Sequence, residues 1–290
     1  MSISEKIAEI ESQMAKTQKN KATEHHLGLL KAKLAKLKSE LLTPKKGVGG
    51  GPSTGFDVKK SGNASVAFVG YPSVGKSTLL NALTGAKSKT AAYAFTTLTC
   101  IPGTLHYKGA QIQLLDLPGI IAGAKEGRGR GKEVLAVARN ADLILFIVEI
   151  FDPMSLTKLK SELEAVGIRL DKKPPNIVIT KTKKGGVDVH FSVKPTTLNA
   201  KTVAGVLGEY GLYSAEVIMR QDVTVDELID ALEGNRKYVP SLVVVAKADL
   251  LPNIDAVALK KQLGRQDVVL VSAEKKAGIP ELKEAIYQKL

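Results

Sequence analysis

Five stretches of the chain are almost continuously apolar: SVAFVG (65–70), QIQLLD (111–116), LILFIV (143–148), SLVVVA (241–246) and VVLVS (268–272). Short apolar runs like these predict strands buried on both faces, as in a mostly parallel sheet. Between them lie KSTLLNALTG (76–85), GKEVLAVARN (131–140) and PELKEAIYQKL (280–290), which read as helices. The alternation of strand and helix predicts an α/β domain with helices on both faces.

Two regions break that rhythm. In the first 46 residues, Ile7, Ile10 and Met14 recur at helical spacing, and Leu27, Leu30, Leu34, Leu37 and Leu41 continue a second stripe. The polar QKNKATE between them predicts a turn, hence a helical hairpin over 1–46. Glycine-rich GVGGGPSTG then marks a linker over 47–63, since no strand precedes it and no Lys-Ser follows. The second break spans 168–238. VDVHFSV (187–193) alternates like a half-buried strand, NAKTVAGVLGEYG reads as a helix capped by Asn199, and AEVIM is a short strand. TVDELIDALEG starts with Thr224 and Glu227 at capping-box spacing and ends at Gly234. A structureless loop of that length is improbable, so a small α+β module is expected inside the sheet domain, splitting it into 64–167 and 239–290.

Composition changes this picture in three ways. The 290 residues carry a formal net charge of +13, which favours acidic partners, nucleic acid above all. Residues 1–62 supply 12 lysines against 6 acidic residues, so the hairpin is either a basic clamp or an amphipathic element packed on the main body with a solvated face. A single cysteine, Cys100, makes no internal disulfide, and with a polar N-terminus and no long apolar run neither a secretory leader nor a membrane span is expected. A cytoplasmic monomer with no membrane contact and no specific taste for DNA is expected. His25, His26, His106 and His190 lack metal-ligand spacing.

The chemistry concentrates after the first strand. GYPSVGKS (70–77) matches G-x-x-x-x-G-K-[ST], between a strand and a helix as that phosphate-binding loop requires. Gly70 and Gly75 let the backbone wrap around phosphate oxygens, and successive N–H groups at the helix start supply a positive field. Lys76 would reach the β- and γ-phosphates, and Ser77 would ligate Mg²⁺. DLPG (116–119) follows the next strand, where Asp116 would hold Mg²⁺ through water and the Gly119 N–H would touch the γ-phosphate. A threonine of AAYAFTTLT (91–99), Thr96 or Thr97 on spacing alone, would ligate the metal only while that phosphate holds the loop.

GYPSVGKST, AFTTLTCIPG and LLDLPGIIAGAKEGRGRG together resemble the Obg-type GTPases. TQKNKATEHHLGLLKAKLAKLKSELLTP, KPPNI and ALEGNR are more specific and resemble the developmentally regulated GTP-binding protein (DRG) family. The resemblance covers nearly the whole chain. It implies an α/β P-loop NTPase G domain, an N-terminal helical region, and an inserted module similar to ribosomal protein S5 domain 2. Family members usually continue into a C-terminal TGS domain, and the resemblance implies that this domain is missing from these 290 residues. The resemblance selects Thr97 as the metal-ligating threonine, and it implies association with a ribosome or RNA and with a DRG-family-regulatory protein. GTP contacts are expected from Gly70, Tyr71, Pro72, Ser73, Val74, Gly75, Lys76, Ser77 and Thr78, and from Phe95, Thr96, Thr97, Asp116 and Gly119.

The base-reading segment is AKAD (246–249). Asp249 would accept hydrogen bonds from guanine N1–H and the 2-amino group, donors that adenine lacks, which disfavours an ATPase. The Lys247 stem would lie along the base plane, and Ser272, Ala273 and Glu274 match the family's SA-containing loop, with the Ala273 N–H facing guanine O6. Ala246 stands where such loops usually carry Asn. Guanine specificity is expected to persist with weaker affinity, and Ala246→Asn should tighten GDP binding in calorimetry. For hydrolysis the expected machinery is Lys76, Thr97 and Gly119. Ile120 occupies the place of a water-orienting Gln, so slow turnover is expected. Arg128 and Arg130 are candidates for charge stabilisation or for RNA contact, and K⁺ activation is a further possibility that Ser73 supports weakly. The alternative is a nucleotide-stabilised RNA- or partner-binding scaffold with negligible hydrolysis.

Overall fold

The structure, a computed structural model, describes residues 2–18, 20, 23–42, 61–84, 101–117, 138–251 and 255–290. In chain order the described elements are α1 (Ile3–Lys16), α2 (Glu24–Leu42), β1 (Ala64–Val69), α3 (Lys76–Thr84), β2 (Ile101–Tyr107), β3 (Ala110–Asp116) and β4 (Leu143–Glu149). Then come α4 (Ser155–Ala165), β5 (Ile168–Leu170), β6 (Ile177–Lys181), β7 (Val187–Phe191), α5 (Ala200–Glu209), β8 (Ala215–Met219) and α6 (Val225–Glu233). The chain closes with β9 (Lys237–Val239), β10 (Ser241–Ala246), a 3₁₀ turn (Ala248–Leu250), α7 (Ala256–Leu263), β11 (Val268–Val271) and α8 (Ile279–Lys289). Among the described residues no helix is long and apolar enough to cross a membrane.

Two compact units emerge, Met1–Gly50 with Lys173–Arg236, and Gly51–Lys172 with Lys237–Leu290. The second holds a six-stranded sheet in the order β11-β10-β4-β1-β3-β2, parallel throughout except for the edge pair β2–β3. This is the G-domain arrangement, with the five apolar runs as its parallel strands. Their continuous hydrophobicity follows from burial on both faces. Ala67, Val69, Phe146, Val148 and Val245 point into one core, Phe68, Leu145, Ile147 and Val244 into the other.

Four strands go beyond the elements expected from the pattern: β2, β5, β6 and β9. The pairing of β5 with β9 also corrects the expected insert. Both strands belong to the G-domain unit, so the inserted part runs from Lys173 to Arg236 instead of 168 to 238. Just beyond this pair, Arg265 binds Asp171 at 2.8 Å and the Ser241 hydroxyl at 3.0 Å, and it also pairs with Asp267, which Lys289 reaches at 2.8 Å. Burial opposes the charged form of Asp267, but hydrogen bonds from Arg265 and Lys289 outweigh it and take its pKa down to about 2.

In the other unit the hairpin and the insert share one core, a correction to the hairpin as a separate domain. Leu30 and Ala32 of α2 are buried, and Ala32 packs with Val203, Val206, Leu207, Val217 and Leu228. Helix α5 comes so close to α2 that a Cβ on Gly205 would lie 2.9 Å from both His25 Cε1 and Leu29 Cδ2. The sheet order is β6-β8-β7, with β6 antiparallel and β7 parallel to β8. Asn199 caps α5, and Thr224 and Glu227 form a reciprocal box at α6. The hairpin lysines find partners here: Lys31 with Asp226 (2.6 Å), Lys33 with Glu209 (3.6 Å), Lys36 with the Glu209 carbonyl (3.0 Å) and Lys38 with Glu11 (2.8 Å).

Candidate functional site

The carboxyl ends of β1, β3, β4 and β10 align, because Phe68 pairs with Asp116, Val69 with Phe146 and Ala246 with Glu149. Strand order reverses around β1, and in open α/β sheets such an edge is where ligands bind. The loop 70–75 leaves β1 here and enters α3. Gly70 is demanded by packing, since a Cβ there would sit 2.4 Å from the Ile147 carbonyl oxygen. This gives it a role different from the expected close approach to phosphate. At Gly75 the requirement is conformational, φ being +97° with open space around it. Ser73 also adopts a left-handed φ of 64°, at a cost to a residue with a Cβ.

Lys76 is 8% exposed and donates to the carbonyls of Gly70 (3.1 Å) and Tyr71 (2.8 Å). Burial lowers its pKa, and the nearby Asp116 carboxylate partly opposes that shift. The Ser77 hydroxyl donates to Asp116 Oδ2 at 2.6 Å. The other oxygen, Asp116 Oδ1, is buried without a hydrogen-bond partner among the described residues. An unpartnered carboxylate oxygen beside a hydroxyl is a hard donor set of the kind that suits Mg²⁺. Tyr71 packs against both cores and its hydroxyl pKa is raised by burial, then by Glu162 and Asp152. Val74 is buried, while Pro72 and Ser73 are exposed.

At the other end of the site lies a cavity of about 320 Å³ lined by Gly75, Thr78, Lys247, Asp249, Ser272 and Glu274, with Ala246 and Ala273 also in its wall. Ser272 is 2% exposed, its hydroxyl oxygen accepts the Lys275 N–H at 3.1 Å, and it shares the cavity wall with Asp249. The neighbouring Ser272 hydroxyl lowers the Asp249 pKa, which favours the ionised carboxylate as an acceptor. Lys247 sits at φ 59°, and its ammonium bonds Glu149 Oε1 at 2.6 Å. Glu149 goes beyond the residues singled out from sequence; an acid closing the run LILFIVE beside a strand that ends in AK was its only signal. Ala246 offers a methyl group and no hydrogen bond.

The structure thus brings together Gly70 to Thr78, Asp116, Lys247, Asp249 and Ser272 to Glu274 along one edge. Phe95, Thr96, Thr97, Gly119, Ile120, Arg128 and Arg130 lie outside the described residues, as does the glycine-rich 47–55 stretch.

Two family models match the chain, "50S ribosome-binding GTPase" over residues 65–181 and the C-terminal region of that GTPase domain over 184–290. The chain is 56% identical over 245 residues to developmentally-regulated GTP-binding protein 1 of Xenopus laevis, covering 84% of this chain and 67% of that protein. It is 55% identical over 249 residues to developmentally-regulated G-protein 3 of Arabidopsis thaliana (85% and 68%). With the Dictyostelium discoideum homolog of developmentally-regulated GTP-binding protein 1 the identity is 54% over 255 residues (87% and 69%). Among solved structures, the G domain of the T. maritima FeoB iron transporter is similar at TM-score 0.40 and 22% identity, over 78% of this chain and 98% of that one. With its phosphate loop, its paired serine and aspartate and relatives of this identity, the chain is a GTP-binding protein that belongs to the developmentally regulated GTP-binding protein family.

Proposed function

We propose that the chain is a Mg²⁺-dependent, slowly hydrolysing GTPase that works as a ribosome- or RNA-associated switch in translation. The observation that carries the first half is the Ser77–Asp116 pair with its unpartnered Oδ1, set beside a desolvated Lys76 on the edge that also holds Asp249. When bound, Mg²⁺ neutralises charge on the β- and γ-phosphates and supplies Lewis acidity there. Lys76 exchanges its two carbonyl partners for phosphate oxygens. Gly75 and the α3 N-terminus present N–H groups to the same oxygens. Asp249, ionised beside Ser272, accepts from the guanine edge, and the cavity beside it takes the base. Ile120 cannot orient water by hydrogen bonding, so slow turnover is part of the proposal, with Thr97 and Gly119 completing the γ-phosphate contacts.

The second half rests on charge and kinship. The net charge is +13, and the family is described as ribosome-binding GTPases. Since α2 lysines engage acidic partners and a carbonyl inside their own unit, the RNA contact is better assigned to the insert. There Lys181, at the end of β6, and Lys183 and Lys184, in the β6–β7 connection, are exposed, and the Thr182 N–H between them donates to the Ser214 carbonyl (3.1 Å). The neighbouring Tyr213 is 75% exposed, an open ring on which a base can stack. A regulatory protein partner, K⁺ activation and a monomeric cytoplasmic state complete the reading. Binding of GTP, GDP and ATP followed by phosphate release tests it, with Lys76→Ala as control. ATP competing equally with GDP would overturn it, and GTP binding without release would favour the scaffold that Ile120 and Ala246 also fit.

A further inference from the structure

The base loop has to stay in register with the phosphate loop although Ala246, at its root, offers only a methyl group. Ala246 is the last residue of β10, and its partner in the neighbouring strand is Glu149, the last residue of β4. Immediately after it Lys247 takes a left-handed φ of 59°, a conformation unfavourable for any residue with a Cβ. The backbone then closes the 3₁₀ turn through the Leu250 N–H to the Lys247 carbonyl at 3.1 Å. Among the described residues this loop is tied by Lys247, which donates to Glu149 Oε1 at 2.6 Å.

Glu149 stands on a firm base. The six residues before it in β4 are buried, and the strand pairs with β1 over 143–146 and with β10 over 144–149. Its carbonyl accepts the Asp152 N–H at 3.0 Å, so the chain turns tightly as soon as the strand ends. The carboxylate itself is one-third exposed, as is the Lys247 side chain. A carboxylate at the carboxyl edge of this sheet, beside the place of a polyanionic ligand, works against binding by simple Coulomb repulsion. Its presence there calls for a compensating role.

We infer that Glu149 is a positioning residue for guanine-nucleotide binding: its ion pair fixes the left-handed Lys247 and so aims the base loop, a tie that Ala246 cannot make. The inference rests on the GTP-binding reading. The tie bridges two strand ends, so it sets the loop against β4, and through β4 against the neighbouring β1 and the phosphate loop that leaves it. Charge effects and positioning predict opposite signs, which makes the idea testable.

The test is GDP and GTP affinity by calorimetry, with dissociation rates by stopped flow, for the full chain and for Glu149→Gln, Glu149→Asp and Lys247→Met. Wild-type binding of GDP checks the parent reading independently. Glu149→Gln should weaken GDP and GTP by the same factor, about three- to fivefold for a partly exposed ion pair, mainly through faster release. Glu149→Asp should retain most of the affinity, and Glu149→Gln should add nothing in a Lys247→Met background. Unchanged or tighter binding in Glu149→Gln, a larger effect on GTP than on GDP, or additivity with Lys247→Met would overturn the inference. Thermal melting of each variant keeps a folding defect separate, and Glu149→Asp serves if Glu149→Gln melts early.

Discussion

The two ends of the G-domain sheet are built on opposite rules. At the carboxyl edge the backbone is strained at Ser73 and Lys247, the buried Lys76 is desolvated, and Asp116 Oδ1 has no partner among the described residues. At the amino end Arg265, its side chain 11% exposed, is satisfied by Asp171, Asp267 and Ser241, with Lys289 completing the shell around Asp267. Both ends bury charge. One leaves groups that a ligand completes; the other uses every donor on the protein itself. The first costs stability and creates binding, the second converts buried charge into a fixed anchor for β5, β10 and β11.

The largest expected effect breaks the saturated end. Arg265→Leu leaves Asp171 and Asp267 short of a partner and should destabilise the chain by about 3 kcal/mol, read as a lower urea midpoint. GDP affinity of the folded protein should stay within a factor of two. A fall in affinity as large as the fall in stability would show the ends to be coupled. Next comes the incomplete end: Lys76→Ala should cost about 10²-fold in GDP affinity, the worth of charge-assisted bonds to phosphate. Its melting temperature without nucleotide should not drop, because a buried ammonium is removed.

A smaller effect is expected at Asp116. Asp116→Asn keeps the shape but gives up the anion, so the gain in GTP affinity on adding Mg²⁺ should shrink about tenfold. Stability without ligand should hold or rise, and a clear loss would mean that Asp116 serves the fold. Acid provides the finest comparison. The pKa of Asp267 is depressed in the folded chain, so its charge contributes stability fully present above the ordinary carboxylate value of about 4. That contribution is lost as pH falls through about 2. Urea midpoints of wild type and Arg265→Leu should therefore converge as pH drops from 5 to 2. A constant gap would contradict this account of the anchor.

The hairpin teaches a related lesson. Read alone, its lysines form a basic stripe. In the structure Lys31, Lys33, Lys36 and Lys38 meet Asp226, Glu209 and Glu11, residues supplied in part by a segment some 170 to 200 positions later in the chain. Charge along a helix states what it can attract, and only packing states what has already been attracted.

By itself the sequence determined the five parallel strands, the phosphate loop, the aspartates at 116 and 249 and the caps at Asn199 and Thr224. These are local: continuous burial writes an apolar run, a phosphate cradle needs its spacing of glycines and lysine, and a cap needs one side chain near one backbone N–H. Tertiary structure alone decided that the hairpin joins the insert, that β5 pairs with β9, and that Ser272 lies beside Asp249, Glu149 holds Lys247 and Arg265 binds Asp171. Each of these pairs is distant in sequence or joins separate strands, and no local periodicity records a partner that only the folding of the intervening chain brings within hydrogen-bonding range.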